Sequence, residues 1–161
     1  MTTRGRQLTI YCPTGLRKAW PLPLARLWHR AYPQLFDDDD LRLTRRQPLY
    51  HFVEWFAAIH LFHVHGTHAL LKKYAFSRHE RKCAVIDRLL GPGERAFLAD
   101  ELEGQTPDLF VYRPDGSVYW FVEVKGPRDR LRSTQLRNHE RIEQRYGVRV
   151  DVLHVKLSRS G

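Results

Sequence analysis

Apolar residues crowd the stretch Tyr50–His65, with Phe52, Val53, Phe56, Ile59 and Phe62 near helical spacing. The pattern predicts a helix that is apolar almost all round and therefore buried, ended by Gly66. Before it, Pro13, Gly15, Pro21, Pro23, Pro33 and Pro48 leave room for short helices alone, one of them over Leu24–Tyr32. After it, Ser77 followed by Glu80 reads as a capping box opening a helix that runs to about Leu90, where Gly91-Pro92-Gly93 stops it. Arg95–Ala99 is expected as a short strand and Gly104–Thr106 as a loop. Two β-patterned runs, Pro107–Arg113 and Val118–Lys125, flank Pro114-Asp115-Gly116-Ser117 and predict a hairpin. An amphipathic helix over Ser133–Tyr146 follows, with Leu136, His139, Ile142 and Tyr146 on one face and Gly147 as its stop. The alternation of Val148–Val155 predicts a closing strand. Helix, short strand, hairpin, helix and strand in that order make an α/β layer over residues 77–157.

The hairpin arithmetic carries chemistry. Alternate residues of a strand share a face, so Glu123 and Lys125 point with Tyr119 and Phe121, and Asp108 points with Phe110 and Tyr112. With residues 114–117 as the connection, Asp108 lies opposite Glu123, where facing Cβ atoms are about 5 Å apart. A slip of one residue would put the two carboxylates on opposite faces. Two carboxylates and a lysine at a hairpin's end are costly to bury, and a hard cation such as Mg²⁺ removes that cost.

Composition narrows the partner. The 161 residues suit one domain, or a small domain with an extension. Twenty-seven Lys/Arg against 18 acids favour a polyanion, nucleic acid first and an anionic membrane surface second. Residues 1–36 hold six bases and no acid, residues 37–125 hold 12 bases and 14 acids, and residues 126–161 hold nine and four. Basic ends thus flank an acidic middle, as an enzyme that grips phosphates around a metal requires. Two cysteines, Cys12 and Cys83, exclude a disulfide framework and a cysteine-rich zinc site. The longest apolar run, Phe52–Val64, is too short to cross a bilayer, and no signal-peptide stretch precedes Pro13. A cytoplasmic location is expected, with non-classical secretion left open.

The string TPDLFVYRPDGSVYWFVEVKGPRDRLRSTQ resembles the signature of PD-(D/E)XK nucleases, and within them the virus-type replication-repair nuclease (VRR-NUC) family. The matching residues are Pro107-Asp108, Glu123-Val124-Lys125, Gly126-Pro127, Asp129 and Gln135, with GVRVDVLHV as the closing strand. The resemblance implies a restriction-endonuclease-like α/β core over residues 77–161: helix, mixed sheet with a catalytic hairpin, helix, strand. Residues 1–76 form a mostly helical extension with no counterpart, which could mediate dimerisation, cover the core or contact DNA. The resemblance also implies Asp108, Glu123 and the Val124 carbonyl as ligands of Mg²⁺ or Mn²⁺. Lys125 would orient the attacking water or stabilise the phosphorane charge, and Gln135 would line the site. A glutamate on the family's first helix completes the ligand set. Glu80 fits best because it opens a helix 28 residues before Asp108; Glu54 competes from the longer, more buried helix. An aromatic residue frequent in the family three positions after the helix glutamine is Asn138 here, a departure that bears on packing.

The expected activity is metal-dependent hydrolysis of DNA, selective for flap, branched or junction structures by resemblance, with Arg128, Arg130, Arg132 and Arg137 tracking the backbone. Against the backbone role stands a solvated helix face with pairs such as Arg137–Glu140 and Arg141–Glu140. Two other readings share the fold: an antibacterial DNase toxin with a cognate immunity protein, and a DNA-binding module that does not cut. A homodimer would suit paired cuts. Asp37–Asp40 reads as a solvated loop, since adjacent acids do not converge. His60, His63, His65 and His68 point in scattered directions and lack a zinc-site spacing. Gly91-Pro92-Gly93 with Ala96 follows a helix and reads as a loop, and neither a P-loop nor a serine elbow is present.

Overall fold

A mixed five-stranded sheet organises the chain, in the order β1-β5-β4-β3-β2. The computed structural model describes residues 5–71 and 73–158, so the first residues of the stretch read for a signal peptide lie outside it. β1 (Gln7–Pro13) leads into α1 (Thr14–Lys18), α2 (Leu24–Ala31), α3 (Asp38–Arg46) and α4 (Phe52–His65). β2 (His68–Leu70) and α5 (Glu80–Leu90) follow. α6 (Glu94–Ala96) runs into a π-helical turn over Phe97–Glu101. β3 (Leu109–Tyr112), β4 (Tyr119–Lys125), α7 (Ser133–Tyr146) and β5 (Val150–Ser158) complete it.

The hairpin forms in the expected register. Leu109 pairs with Val122 and Tyr112 with Tyr119. The turn sets this register: Gly116 takes φ +77°, and the Asp115 carboxylate accepts from the Ser117 amide at 2.9 Å. β5 then lies parallel to β4, and β1 adds parallel to the other side of β5. Arg6 and Arg149 clamp the buried Asp151 of β5, which accepts from the Arg6 amide at 2.9 Å and from Arg149 Nε at 3.0 Å.

Each sheet face has its own core. Leu109, Val111, Trp120, Val122, Val124, Leu153 and Val155 pack with the apolar residues of α2 and α4. There Trp55 stacks on Phe36 at 3.8 Å and meets Trp20 edge-on at 5.2 Å. Phe110, Tyr112, Phe121 and Val150 face the other way, toward Tyr74, Ile86 of α5 and Ile142 of α7. Residues before 77 therefore supply two strands and four helices to the same sheet and core. Among the described residues no helix is long and apolar enough to cross a membrane.

Three local expectations are corrected. Arg95–Ala99 is helical, because Leu98 and Leu102 lie one helical turn apart and both are buried; β2 is the short strand instead. The Ser77–Glu80 capping box does not form. Ser77 Oγ takes the His79 amide at 3.0 Å in a local turn, and His79 caps α5 by accepting from the Arg81 amide at 3.2 Å. The acidic run Asp37–Asp40 is no solvated loop. Asp37 and Asp40 form the capping box of α3 and lie buried against Lys82.

Candidate active site

Asp108 immediately precedes β3 and Glu123 and Lys125 end β4, with exposures of 9%, 4% and 7%. Extending the ladder by one position sets Asp108 opposite Glu123. The Val124 amide donates to Asp108 Oδ2 at 2.9 Å, which holds that carboxylate where the β3 backbone would otherwise continue. The N–H and C=O of one strand residue point to the same edge, so the Val124 carbonyl turns toward Asp108 as well.

α7 closes the site from one face. Gln135 Nε2 donates to Glu123 Oε1 at 2.8 Å, while Gln135 Oε1 accepts from Lys125 Nζ at 3.0 Å and from the Arg132 amide at 3.0 Å. One amide thus fixes the lysine and the glutamate together, with Lys125 Nζ 3.5 Å from Glu123 Oε1. His139, one turn beyond Gln135, brings Nε2 to 3.9 Å from Glu123 Oε2. The amphipathic period of this helix puts His139 on one face with Leu136, Ile142 and Tyr146 and gives it no role at the site. Its i+4 spacing from Gln135 was the available signal.

Supporting groups hold the Asp108 side. Tyr74 is fully buried and donates to the Pro107 carbonyl at 2.9 Å. Burial pushes its phenol well above the ordinary tyrosine range, and the negative charges of Asp108 and Glu123 push the same way. Asn138 Nδ2 reaches the carbonyls of Leu102 and Gln105, both at 3.2 Å, tying α7 to the loop that delivers Asp108. At the end of β4 the Gly126 amide donates to Asp129 Oδ2 at 2.9 Å and turns the chain away.

The remaining candidates fall elsewhere. Glu80 is exposed at the start of α5. Its neighbour Arg81 is tied to the Gln34 and Ala69 carbonyls, at the β2 edge of the sheet. That anchoring holds the start of α5 at the β2 edge. Glu54, in the first turn of α4, lines a cleft with Gly126, Pro127 and Asp129, directly after Lys125. Arg128, Arg130, Arg132 and Arg137 are exposed along the segment leaving β4 and the first turns of α7. Arg141 pairs with Glu101 at 3.4 Å, rather than with Glu140.

Among the described residues, three potential ligand groups lie within 4.8 Å of one another at Asp37, Asp39 and His79. Charge argues against a cation there. Asp37 Oδ2 already faces Arg81 at 3.3 Å and Lys82 at 3.5 Å, and its Oδ1 caps α3. Asp108, Glu123 and the Val124 carbonyl are instead hard oxygen donors at one strand end, a set that fits a divalent cation such as Mg²⁺ or Mn²⁺.

No curated protein and no solved structure matches the chain. The model of the VRR-NUC domain matches residues 58–157, from within α4 to near the end of β5. That match covers more than half the chain and includes every residue of the hairpin site, so the chain belongs to the VRR-NUC family, a membership that implies a nuclease-type function.

Proposed function

We propose that this protein is a divalent-metal-dependent deoxyribonuclease that hydrolyses phosphodiester bonds, with branched or flapped DNA as its preferred substrate and the cytoplasm as its location. The observation that carries the reading is the linkage of Glu123 and Lys125, at the end of β4, through Gln135 of α7, beside Asp108 at the facing start of β3. The order α4, β2, β3, β4, α7, β5, with β5 parallel to β4, supports a PD-(D/E)XK core. In that core α5 is an insertion between the first two strands, and α4 is the first helix. The first-helix acid is then Glu54 instead of Glu80, and its place beside Gly126 supports the exchange.

Asp108, Glu123 and the Val124 carbonyl would hold Mg²⁺ or Mn²⁺, with Glu54 approaching from the α4 face. Such a cation would supply a lowered pKa for the attacking water and neutralisation of charge on the phosphoryl oxygens. The side chains do the rest. Lys125 sets a fixed positive charge beside the phosphate as negative charge builds on it. Gln135 restrains Lys125 and Glu123 in one geometry, so neither must reorganise during reaction. Arg128, Arg130, Arg132 and Arg137 offer charge to the backbone leading from the site.

Incubating linear, flap and junction DNA with Mg²⁺ or Mn²⁺ tests the reading. Cutting is expected with either ion, and it should stop on chelation and in Asp108→Ala and Glu123→Ala. Cleavage that survives both substitutions sinks the assignment, and wild-type protein that binds without cutting favours a non-cleaving module.

A further inference from the structure

Beyond the end of β4 lies a cleft of about 780 Å³, with Gly126–Asp129 on one wall and the segment 49–54 on the other. Leu49 and Tyr50 stand at its rim, 81% and 66% exposed. Their backbone is held from behind. The Tyr50 amide donates to the Gln47 carbonyl at 3.1 Å, and Trp20 Nε1 donates to the Tyr50 carbonyl at 3.0 Å. His51 adopts φ +77° and pairs with Gln47 through Nε2 at 2.6 Å. Phe52 then drops into the core. An aliphatic and an aromatic side chain are thus presented to solvent on a fixed tip, next to a left-handed non-glycine residue whose conformation is itself unfavourable.

Charge identifies the occupant. The two carboxylates of the cleft, Glu54 and Asp129, the latter accepting from the Gly126 amide, are outnumbered by Arg17, Arg128 and Lys156, which line the same cleft and are all exposed. A purely apolar protein partner has no need of them. A nucleic acid needs both kinds of group, phosphates for the cations and a base face for the ring. Intact duplex hides its base faces in the stack; a fork, flap or frayed end exposes one. Apolar wedges placed against base steps are a known means of opening a duplex.

We propose that Leu49 and Tyr50 form a wedge that packs on the base face exposed where DNA strands part, while Arg17, Arg128 and Lys156 hold the adjoining backbone. The wedge deepens the nuclease reading above, on which it rests, by supplying a physical basis for preferring branched substrate. Its position beside Gly126 puts the parted strands at the end of β4 that carries Glu123 and Lys125.

The test is binding without divalent metal, so that nothing is cut. Fluorescence anisotropy compares a splayed-arm fork with a fully paired duplex of equal length at one fixed salt concentration. Wild type is expected to prefer the fork by about tenfold, the size of a single base–aromatic stack. Leu49→Ser with Tyr50→Ser should bring the ratio near one, and Tyr50→Phe should keep it. Both side chains are exposed, so unchanged thermal melting is expected and checks that the fold persists. A wild type without fork preference, or a double variant that retains it, overturns the wedge. Cleavage with Mg²⁺ by a protein lacking that preference leaves the nuclease reading standing alone. A preference without cleavage leaves the wedge and removes the nuclease.

Discussion

Among the described residues, two clusters of buried acids are finished in opposite ways. Between α3 and α5, protein groups meet all four carboxylate oxygens of Asp37 and Asp40. The Asp40 amide reaches Asp37 Oδ1 at 3.0 Å, and the Asp37 amide reaches Asp40 Oδ2 at 2.9 Å. Lys82 takes Asp40 Oδ1 at 2.8 Å, and Arg81 takes Asp37 Oδ2 at 3.3 Å. Two acids thus meet two cations. At the hairpin end, Asp108 and Glu123 share the neighbourhood of Lys125, with amides from Val124 and Gln135 and the ring of His139 around them. Proximity of potential ligand atoms alone would select Asp37, with Asp39 and His79 beside it, as a metal site. Arg81 and Lys82 already neutralise that first cluster as an ion pair that builds the fold, which leaves the hairpin carboxylates as the site proposed above.

The contrast can be broken most decisively at the hairpin. Asp108→Asn or Glu123→Gln should cut the cleavage rate about a thousandfold or more. Urea melts of both variants should match or exceed wild type, because one of two neighbouring negative charges has gone. A parallel collapse of stability would make this cluster structural after all. Lys82→Met should behave inversely, losing roughly 3–5 kcal/mol of stability by stranding buried acids, while protein that stays folded still cuts. Burial pushes the Asp40 carboxyl up to about 6, against the pull of Lys82. Its contribution to stability is therefore greatest with the proton bound and is lost as pH rises through 6. Part of the Lys82→Met loss should accordingly be recovered when the melts are repeated at about pH 5 instead of about pH 7. Gln135→Leu sharpens the picture at smaller scale, with cleavage expected to fall about ten- to a hundredfold and metal affinity to weaken. Asn138→Leu should cost about 1 kcal/mol in a thermal melt, by releasing the loop before Asp108 from α7.

Legibility followed the range of the interactions. The hairpin could be read because Asp115, Gly116 and Ser117 set its register within four residues, and Asp108 and Glu123 came with it. α7 was legible from its period and its Gly147 stop, and its limits match the expectation. β5 was expected as one-sided alternation over Val148–Val155. It is buried on both faces because it lies inside the sheet, and pairing with β1 carries it on to Ser158. β1 did carry a signal, with Leu8, Ile10 and Cys12 at alternate positions, but its partner lies almost the whole chain away. β2 is three residues long, too short for any alternation to register. The burial of Asp37 and Asp40 depends on Lys82, about forty residues downstream, so a local reading saw only a charged run.

The position of β5 has a consequence for synthesis. β4, which bears Glu123 and Lys125, and β1 are not neighbours in the sheet and are joined within it through β5. On the ribosome both must wait for the last strand of the sheet to emerge, because parallel neighbours cannot zip locally. A polypeptide that does not yet extend through β5 therefore has no completed sheet beneath its acidic hairpin.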